Sequence, residues 1–253
     1  MSLVLAAQIS MVGRIDRCLL LSYRVPAAAV ESLVPRGLDL VTLEARGERW
    51  AFWNIVVCHI EAMRPAFMPA SLGVTYHHAA YRLRVRASTS EGELGGVYFV
   101  RSDCDDGLIT LAGDFLSDFR FHKAEIFSRA STDRFVAEVR GGDAEVGLSV
   151  EADLAGSATL APGSVFPSLE NARDFLKYEP MGLAVADESV RLAEVQRTES
   201  QWRERAVRVT KMHSEFLRAR SPGAELELAT WVEPIDYRWT LGRRARLSKI
   251  PDA

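Results

Sequence analysis

Residues 119 to 127, FRFHKAEIF, bring an arginine, a histidine and a lysine within four positions, a set able to act on a carbonyl or a carboxylate. With the period of two of a strand, Phe119, Phe121, Lys123, Glu125 and Phe127 share one face, and Asp118, Arg120, His122 and Ala124 share the other. An amine desolvated by aromatic rings has a lowered pKa and becomes nucleophilic, whereas an adjacent carboxylate favours the ammonium form. Lys123 has both kinds of neighbour, so a reactive lysine and a salt-bridged rim lysine both stay open. His122, and His78 in VTYHHAAYRLRVR, titrate near neutrality and form an acid/base pair if the even-numbered face of each strand points into one pocket. Two histidines in a structural hydrogen-bond network are the plain alternative. The expectation is a regular strand with His122 inward, catalysis by His122 and His78, and Lys123 as a peripheral third candidate. Tyr76 and Arg120, on the faces of His78 and His122, are the substrate-binding candidates of these two strands.

Other clusters carry less. A metal site from His59, His78 and His122 has no His-x-His or His-x3-His spacing behind it. Asp103, Asp105 and Asp106 lack the glycine-centred spacing and terminal glutamate of a calcium loop, and read as turn and cap residues. Neither a metal nor a cofactor is expected.

The elements that must position these groups are mostly strands. Leu108, Ile109, Ala112, Phe115 and Leu116 recur on one helical face, with Asp105 or Asp106 able to cap the first turn, so a short helix precedes the reactive strand. Residues 14 to 23 read as a buried strand, followed by a short helix opened by Pro26. Residues 37 to 60 read as two strands joined at 45 to 48, and 74 to 86 alternate so that His77 and His78 must face opposite ways. MRPAFMPASLG, with exposed-type Phe67 and Met68, is a packed loop, a lid or an interface. Gly141 and Gly142 mark a hairpin, LENARDFLKY a helix begun at Ser168, and four further strands follow before a basic tail, YRWTLGRRARLSKIPDA, read as loosely held. Strands in hairpin order with a few brief helices give a mainly antiparallel α+β architecture, a closed or nearly closed barrel, in one domain spanning 1–253.

With 48% apolar and 26% charged residues, the chain is an ordinary globular one. A formal net charge of -3 provides no basic footprint for nucleic acid or an anionic membrane. No apolar run approaches the roughly 18 residues of a spanning helix, and no basic region precedes the apolar N-terminus, so no membrane anchor or signal peptide is read. Three well-separated cysteines, Cys18, Cys58 and Cys104, suit a reducing cytoplasm better than a disulfide framework. The expected partner is a small-molecule substrate or ligand, with a homo-oligomer compatible but not indicated.

The phrases SYRVPAAAVESLVPRGLDL, WAFWNIVVCHI, GVYFV and AGDFLSDFRFHKAEI together resemble the acetoacetate decarboxylase-like superfamily, and within it the uncharacterised YqjF-like bacterial proteins. The resemblance covers about the first 130 residues and implies a cone-shaped antiparallel barrel holding a small carboxylate or carbonyl compound. In the decarboxylases of that superfamily a lysine forms a Schiff base with a keto acid, a second lysine lowers its pKa, and glutamates line the pocket. An ungapped match places Phe121 at the Schiff-base lysine and His122 at its partner, with Lys123 two positions on. The same match turns the pocket glutamates into Asn54 and His78, and puts Arg14 and Arg17 beside the expected carboxylate-binding arginine. Asn54 and Arg17 thereby join the substrate-binding candidates, with Asn54, His78 and His122 expected around one cavity. True acetoacetate decarboxylation is not expected. An enzyme using acid/base chemistry, or less readily a Schiff base, and a non-catalytic binding protein of the same fold are the two readings.

Overall fold

The chain forms a strand-rich structure in which alternating apolar residues line both faces of one large curved sheet. The computed structural model describes residues 9–248 except 118, 144, 157, 178 and 198–200, and at 112 and 114–117 it describes the backbone alone. Two long strands lead, β1 (Ile9–Pro26) and β4 (Glu48–Pro65), separated by two 3-10 turns (Ala27–Ala29, Glu31–Leu33) and by β2 (Asp39–Leu40) and β3 (Leu43–Ala45). β5 (Val74–Thr89) and β6 (Gly92–Cys104) form a hairpin, then come α1 (Gly107–Ser117), β7 (Phe121–Lys123) and β8 (Glu125–Ala130). A second hairpin, β9 (Arg134–Arg140) and β10 (Leu148–Asp153), precedes α2 (Leu169–Leu176). The remainder is β11 (Met181–Ala186), β12 (Ser189–Arg197), β13 (Glu204–Ala206), β14 (Arg208–Ser214), α3 (Glu215–Arg220), β15 (Glu225–Val232) and β16 (Ile235–Arg246). Among the described residues no helix is long and apolar enough to cross a membrane.

Seven strands make a ring that nearly closes, in the order β1, β16, β12, β11, β6, β5, β4 and back to β1. Pairing is antiparallel except at the seam between β6 and β11, where one parallel pair, Gly182 with Val97, joins them. Glycine permits that approach, since a Cβ on Gly96 would lie 2.6 Å from the Met181 carbonyl and one on Gly182 2.6 Å from the Phe119 ring. A four-stranded sheet, β14, β10, β9 and β8, lies against the outside of the ring. One apolar cluster fills the space between this sheet and the outer barrel face, around Trp53, Tyr81, Phe135, Leu148 and Trp231. Another fills the barrel, around Leu20, Val56, Ile60, Phe99 and Phe121.

The closed arrangement explains several differences from the sequence reading. The first part of the basic tail belongs to β16, because its alternate residues Tyr237 and Leu241 are buried inside the barrel while β1 and β12 bond both of its edges; residues 249–253 of that tail lie outside the described residues. The third of the late strands continues into α3, begun by Ser214, whose hydroxyl accepts from Leu217 N. The segment after α1 is not one regular strand. Arg120 has a positive φ of 54°, β7 belongs to the barrel sheet and β8 to the outer sheet, and burial shifts phase between Phe121 and Ala124. Phe121 takes the inward position of β7, which puts His122 outside, and the change of sheet at Ala124, rather than a bulge within one ladder, takes Lys123 out as well. In the α1 region, the side chains of Ala112, Phe115, Leu116 and Asp118 lie outside the described residues.

Phe135 is fully buried and packs on Trp231 at 5.2 Å, joining the outer sheet to the barrel. Phe135→Ala is expected to cost about 3–5 kcal/mol in urea unfolding. Phe127→Ala, on the exposed face of β8, is expected to stay within about 0.5 kcal/mol of wild type. Equal losses for the two would contradict this packing.

Candidate functional site

Register places three rows of inward side chains side by side across β1, β4, β5 and β6. Cys18, Cys58, His78 and Cys104 form one row, Leu20, Val56, Ala80 and Ser102 the next, and Ser22, Asn54, Arg82 and Phe99 the third. The third row is completed across a bulge at Tyr81 and Arg82, which brings Phe99 opposite Arg82. These rows enclose a cavity of about 40 Å³ whose wall includes His78, Arg82, Cys58, Trp202, Tyr237 and Trp239. A water molecule needs roughly 10–15 Å³ by this measure, so the space holds about three water-sized groups. Arg82 is the charged side chain of the described lining residues, and no carboxylate is among them.

His78 is 4% exposed, and its Nε2 is buried without a hydrogen-bond partner among the described residues. Burial, and then the charge of Arg82, push its pKa down to about 3, so the ring is neutral at physiological pH. One face stacks on Phe121 at 5.2 Å. Helix α1 holds Phe121 there through Gly113, where a Cβ would come within 2.5 Å of the Phe121 ring. Asn54 orients Arg82, whose Nη2 donates to Asn54 Oδ1, and the guanidinium lies 5.5 Å from the Phe99 ring centroid. Burial favours the protonated thiols, raising Cys18 to about 12, Cys104 to about 11, and Cys58 well above its usual value. Tyr76 is also interior, and burial raises its pKa in the same way.

The other predicted residues are elsewhere. His122 is exposed on a separate surface cleft of about 630 Å³ with Arg120, Arg101 and Asp143, so Asn54, His78 and His122 do not share one cavity. His122 and Arg120 left the interior because Phe121 took the inward position of β7. Arg120 instead rests over Tyr98 at 5.4 Å. Lys123 is exposed and its Nζ donates to the Asp105 carbonyl at 2.6 Å. Arg17 points out of the barrel: a register shift between Ile15 and Arg17 leaves Ile15 in the cavity wall while Arg17 contacts Asp16 at 2.8 Å and the Ser128 carbonyl at 3.2 Å. Arg82 is the residue the reading of the sequence passed over. Its signal was present, because 78, 80 and 82 share one face of an alternating strand.

Residues 13–230 match the family DUF2071, described as an uncharacterized conserved protein (COG2071). No curated protein matches the chain significantly. Among solved structures, an acetoacetate decarboxylase-like enzyme from Sphingomonas wittichii RW1 superposes with a TM-score of 0.59 at 14% identity, over 97% of this chain and 95% of that one. Acetoacetate decarboxylase from Legionella pneumophila gives 0.58 at 10% identity, over 96% and 88%. The enduracididine biosynthesis enzyme MppR complexed with pyruvate gives 0.57 at 12% identity, over 99% and 94%. At these identities the likeness is one of fold: the barrel is acetoacetate decarboxylase-like.

The buried neutral state of His78 has a thermodynamic consequence. Its pKa is 6.5 when unperturbed and about 3 in the folded chain, so between those values the unfolded state binds a proton that the native state does not. Stability therefore falls as pH is lowered through that window, by at most about 1.4 kcal/mol per pH unit from this one group. His78→Gln is expected to flatten the dependence of the urea midpoint on pH between 6 and 4. An unaltered slope would show that His78 is not held neutral by burial.

Proposed function

The chain belongs to the DUF2071 family, and on that premise we propose that its barrel interior binds a small carboxylate carrying a carbonyl group and moves a proton on it. The observation that carries this reading is the pairing, in one interior cavity, of a cation with a buried neutral imidazole whose Nε2 has no hydrogen-bond partner among the described residues. Arg82, positioned by Asn54, takes the carboxylate through its planar fork of N–H donors. His78 Nε2 accepts a proton from the carbon α to the carbonyl, and the C–H electron pair moves to the carbonyl oxygen as an enolate. The imidazolium then returns the proton, to the same or another atom. Charge developing on the enolate lies in a low-dielectric space beside a fixed cation, where its stabilisation is large.

Schiff-base decarboxylation has no support in this arrangement. Phe121, in the inward position, is a hydrocarbon, and the Lys123 ammonium is outside, on the Asp105 carbonyl. The fold relationship to enzymes that include one seen with pyruvate supports the class of the ligand, and the 40 Å³ cavity, room for about three water-sized groups, has to widen to admit even an acid of three carbons. A second reading, a protein that holds such an acid without turnover, is favoured by the low pKa of His78, since a base so weak at neutrality abstracts carbon-bound protons poorly.

Pyruvate, glyoxylate and acetoacetate titrated calorimetrically, with proton NMR in D2O following α-deuteration of pyruvate and acetoacetate, test both readings. Binding of at least one acid is expected, weakened at least 10-fold by Arg82→Met, with α-exchange reduced at least 100-fold by His78→Gln. Binding without exchange would assign the protein to the second reading. Borohydride trapping of an adduct on Lys123, or binding indifferent to Arg82→Met, would overturn the assignment.

A further inference from the structure

The outer face of the same strands carries a second cluster, built by irregularities in the β1 and β4 ladder. At the register shift between Ile15 and Arg17, Asp16 and Arg17 together oppose His59. A bulge of this kind turns two neighbouring side chains towards the same side. On β4 the alternation puts Glu61 beside His59, and the ladder breaks again after it, where Ala62 has a φ of 51°. One imidazole nitrogen and one carboxylate oxygen from each of Asp16 and Glu61 all lie within 4.8 Å of one another, half-buried.

His77 stands opposite His59 on β5. The two rings are 4.7 Å apart. Asp105 fixes His77 from behind: its Oδ2 is 2.8 Å from His77 Nδ1, and its Oδ1 accepts from the His77 backbone N–H at 2.7 Å. This leaves His77 Nε2 buried and without a partner among the described residues. A carboxylate behind one ring nitrogen, with the other presented, is how metal-ligating histidines are commonly oriented.

We propose that Asp16, His59 and Glu61 form a binding site for a divalent transition-metal ion of the zinc class, with His77 Nε2 as the fourth donor. Mixed imidazole and carboxylate donors suit Zn²⁺, Mn²⁺, Fe²⁺ or Co²⁺ better than Mg²⁺ or Ca²⁺, which prefer oxygen. The Arg17 guanidinium stands in the same space, 3.0 Å from His59 Nδ1 and 2.8 Å from Asp16 Oδ2. It acts as the resident countercharge that an arriving dication displaces towards the Ser128 carbonyl, which Arg17 already contacts. Glu61 also borders a surface cleft of about 800 Å³.

Tag-free protein titrated with ZnCl2 by calorimetry, and with CoCl2 by visible absorption, tests the site. One Zn²⁺ per chain is expected, with Co²⁺ d–d bands of nitrogen and oxygen coordination. Affinity should fall at least 10-fold in His59→Gln and in Glu61→Gln, and in His77→Gln. Arg17→Gln should tighten binding at least several-fold, because it removes the competing cation; a merely structural ion pair predicts no gain. Circular dichroism of each variant separates lost ligation from lost folding, since Arg17→Gln must gain affinity from a fold no more stable than wild type. Absence of binding at 1 mM Zn²⁺, or binding insensitive to His59→Gln and Glu61→Gln, would overturn the proposal.

Discussion

The ladder between β1 and β4 is the constraint on which the rest depends. It runs from Met11 opposite Pro65 to Pro26 opposite Trp50 and closes the ring. Over their facing central stretches, residues 18–25 and 51–58, both faces of these strands are buried, one in the barrel and one under the outer sheet. A one-residue slip would exchange the two faces, moving Leu19, Leu21, Ile55 and Val57 into the cavity and Cys18, Asn54 and Cys58 under the outer sheet. Register is therefore set by apolar packing on two sides. The polar groups in the same ladder inherit positions that they did not choose energetically.

Burying those groups has a cost that the fold meets pair by pair. Arg24 is fully enclosed and bonded to Glu227 at 2.6 Å and to Glu225, and Glu227 also accepts from Val165 N at 3.1 Å. This network ties the end of β1 to β15 and to the loop before α2, and losing one partner of such a pair is worse than never having buried it. Arg101 holds Asp103 and Asp143 in the same manner, at 2.8 Å each, and pins the β9 to β10 turn to β6. Satisfaction is incomplete at several buried atoms among the described residues, Glu227 Oε2 and Asp103 Oδ2 included; His78 Nε2 and His77 Nε2 are the imidazole nitrogens among them, able to accept a proton or a metal ion.

The fold was largely legible in the sequence because alternation is a local signal. VTYHHAAYRLRVR reads as a strand with His77 and His78 on opposite faces, and so they are; the helix over 107–117, the Gly141 hairpin and the Ser168 cap follow from equally local chemistry. The site was legible only in part. Arg17 shares the nominal face of Ile15 and Leu19, but the bulge at Asp16 breaks the parity, and nothing in DRCLLL announces a bulge. His122 went astray for a different reason: alternation continued smoothly from Phe119 to Phe127, whereas the chain leaves one sheet for another at Ala124. Periodicity assigns residues to faces within an element and is silent on where an element ends between two apolar residues. Asn54 and Arg82 illustrate the converse, since their meeting depends on cross-strand register, a long-range property that no window of one strand contains.

His77 and His78 show how much alternation alone accomplishes. Neighbours in sequence, they face two different solvents. His78 lies among Cys58, Phe121 and Arg82, with no carboxylate among the described lining residues, so a proton on it is disfavoured by burial and by like charge. His77 lies against Asp105 and 4.7 Å from the His59 ring, beside the group that Asp16, His59 and Glu61 form. Consecutive residues of one strand thus set one imidazole beside a cation inside the barrel and the other beside carboxylates outside it. Such a partition suits a barrel whose interior handles an anion: carboxylates placed inside would compete for Arg82, while the same groups placed outside are screened from it by the sheet and by the apolar layer of Val57, Ala79 and Tyr81. The cavity's small volume sharpens the point. In a space of about 40 Å³ an entering acid must shed its water, and only a fixed cation already desolvated by the fold can replace that hydration without further reorganisation.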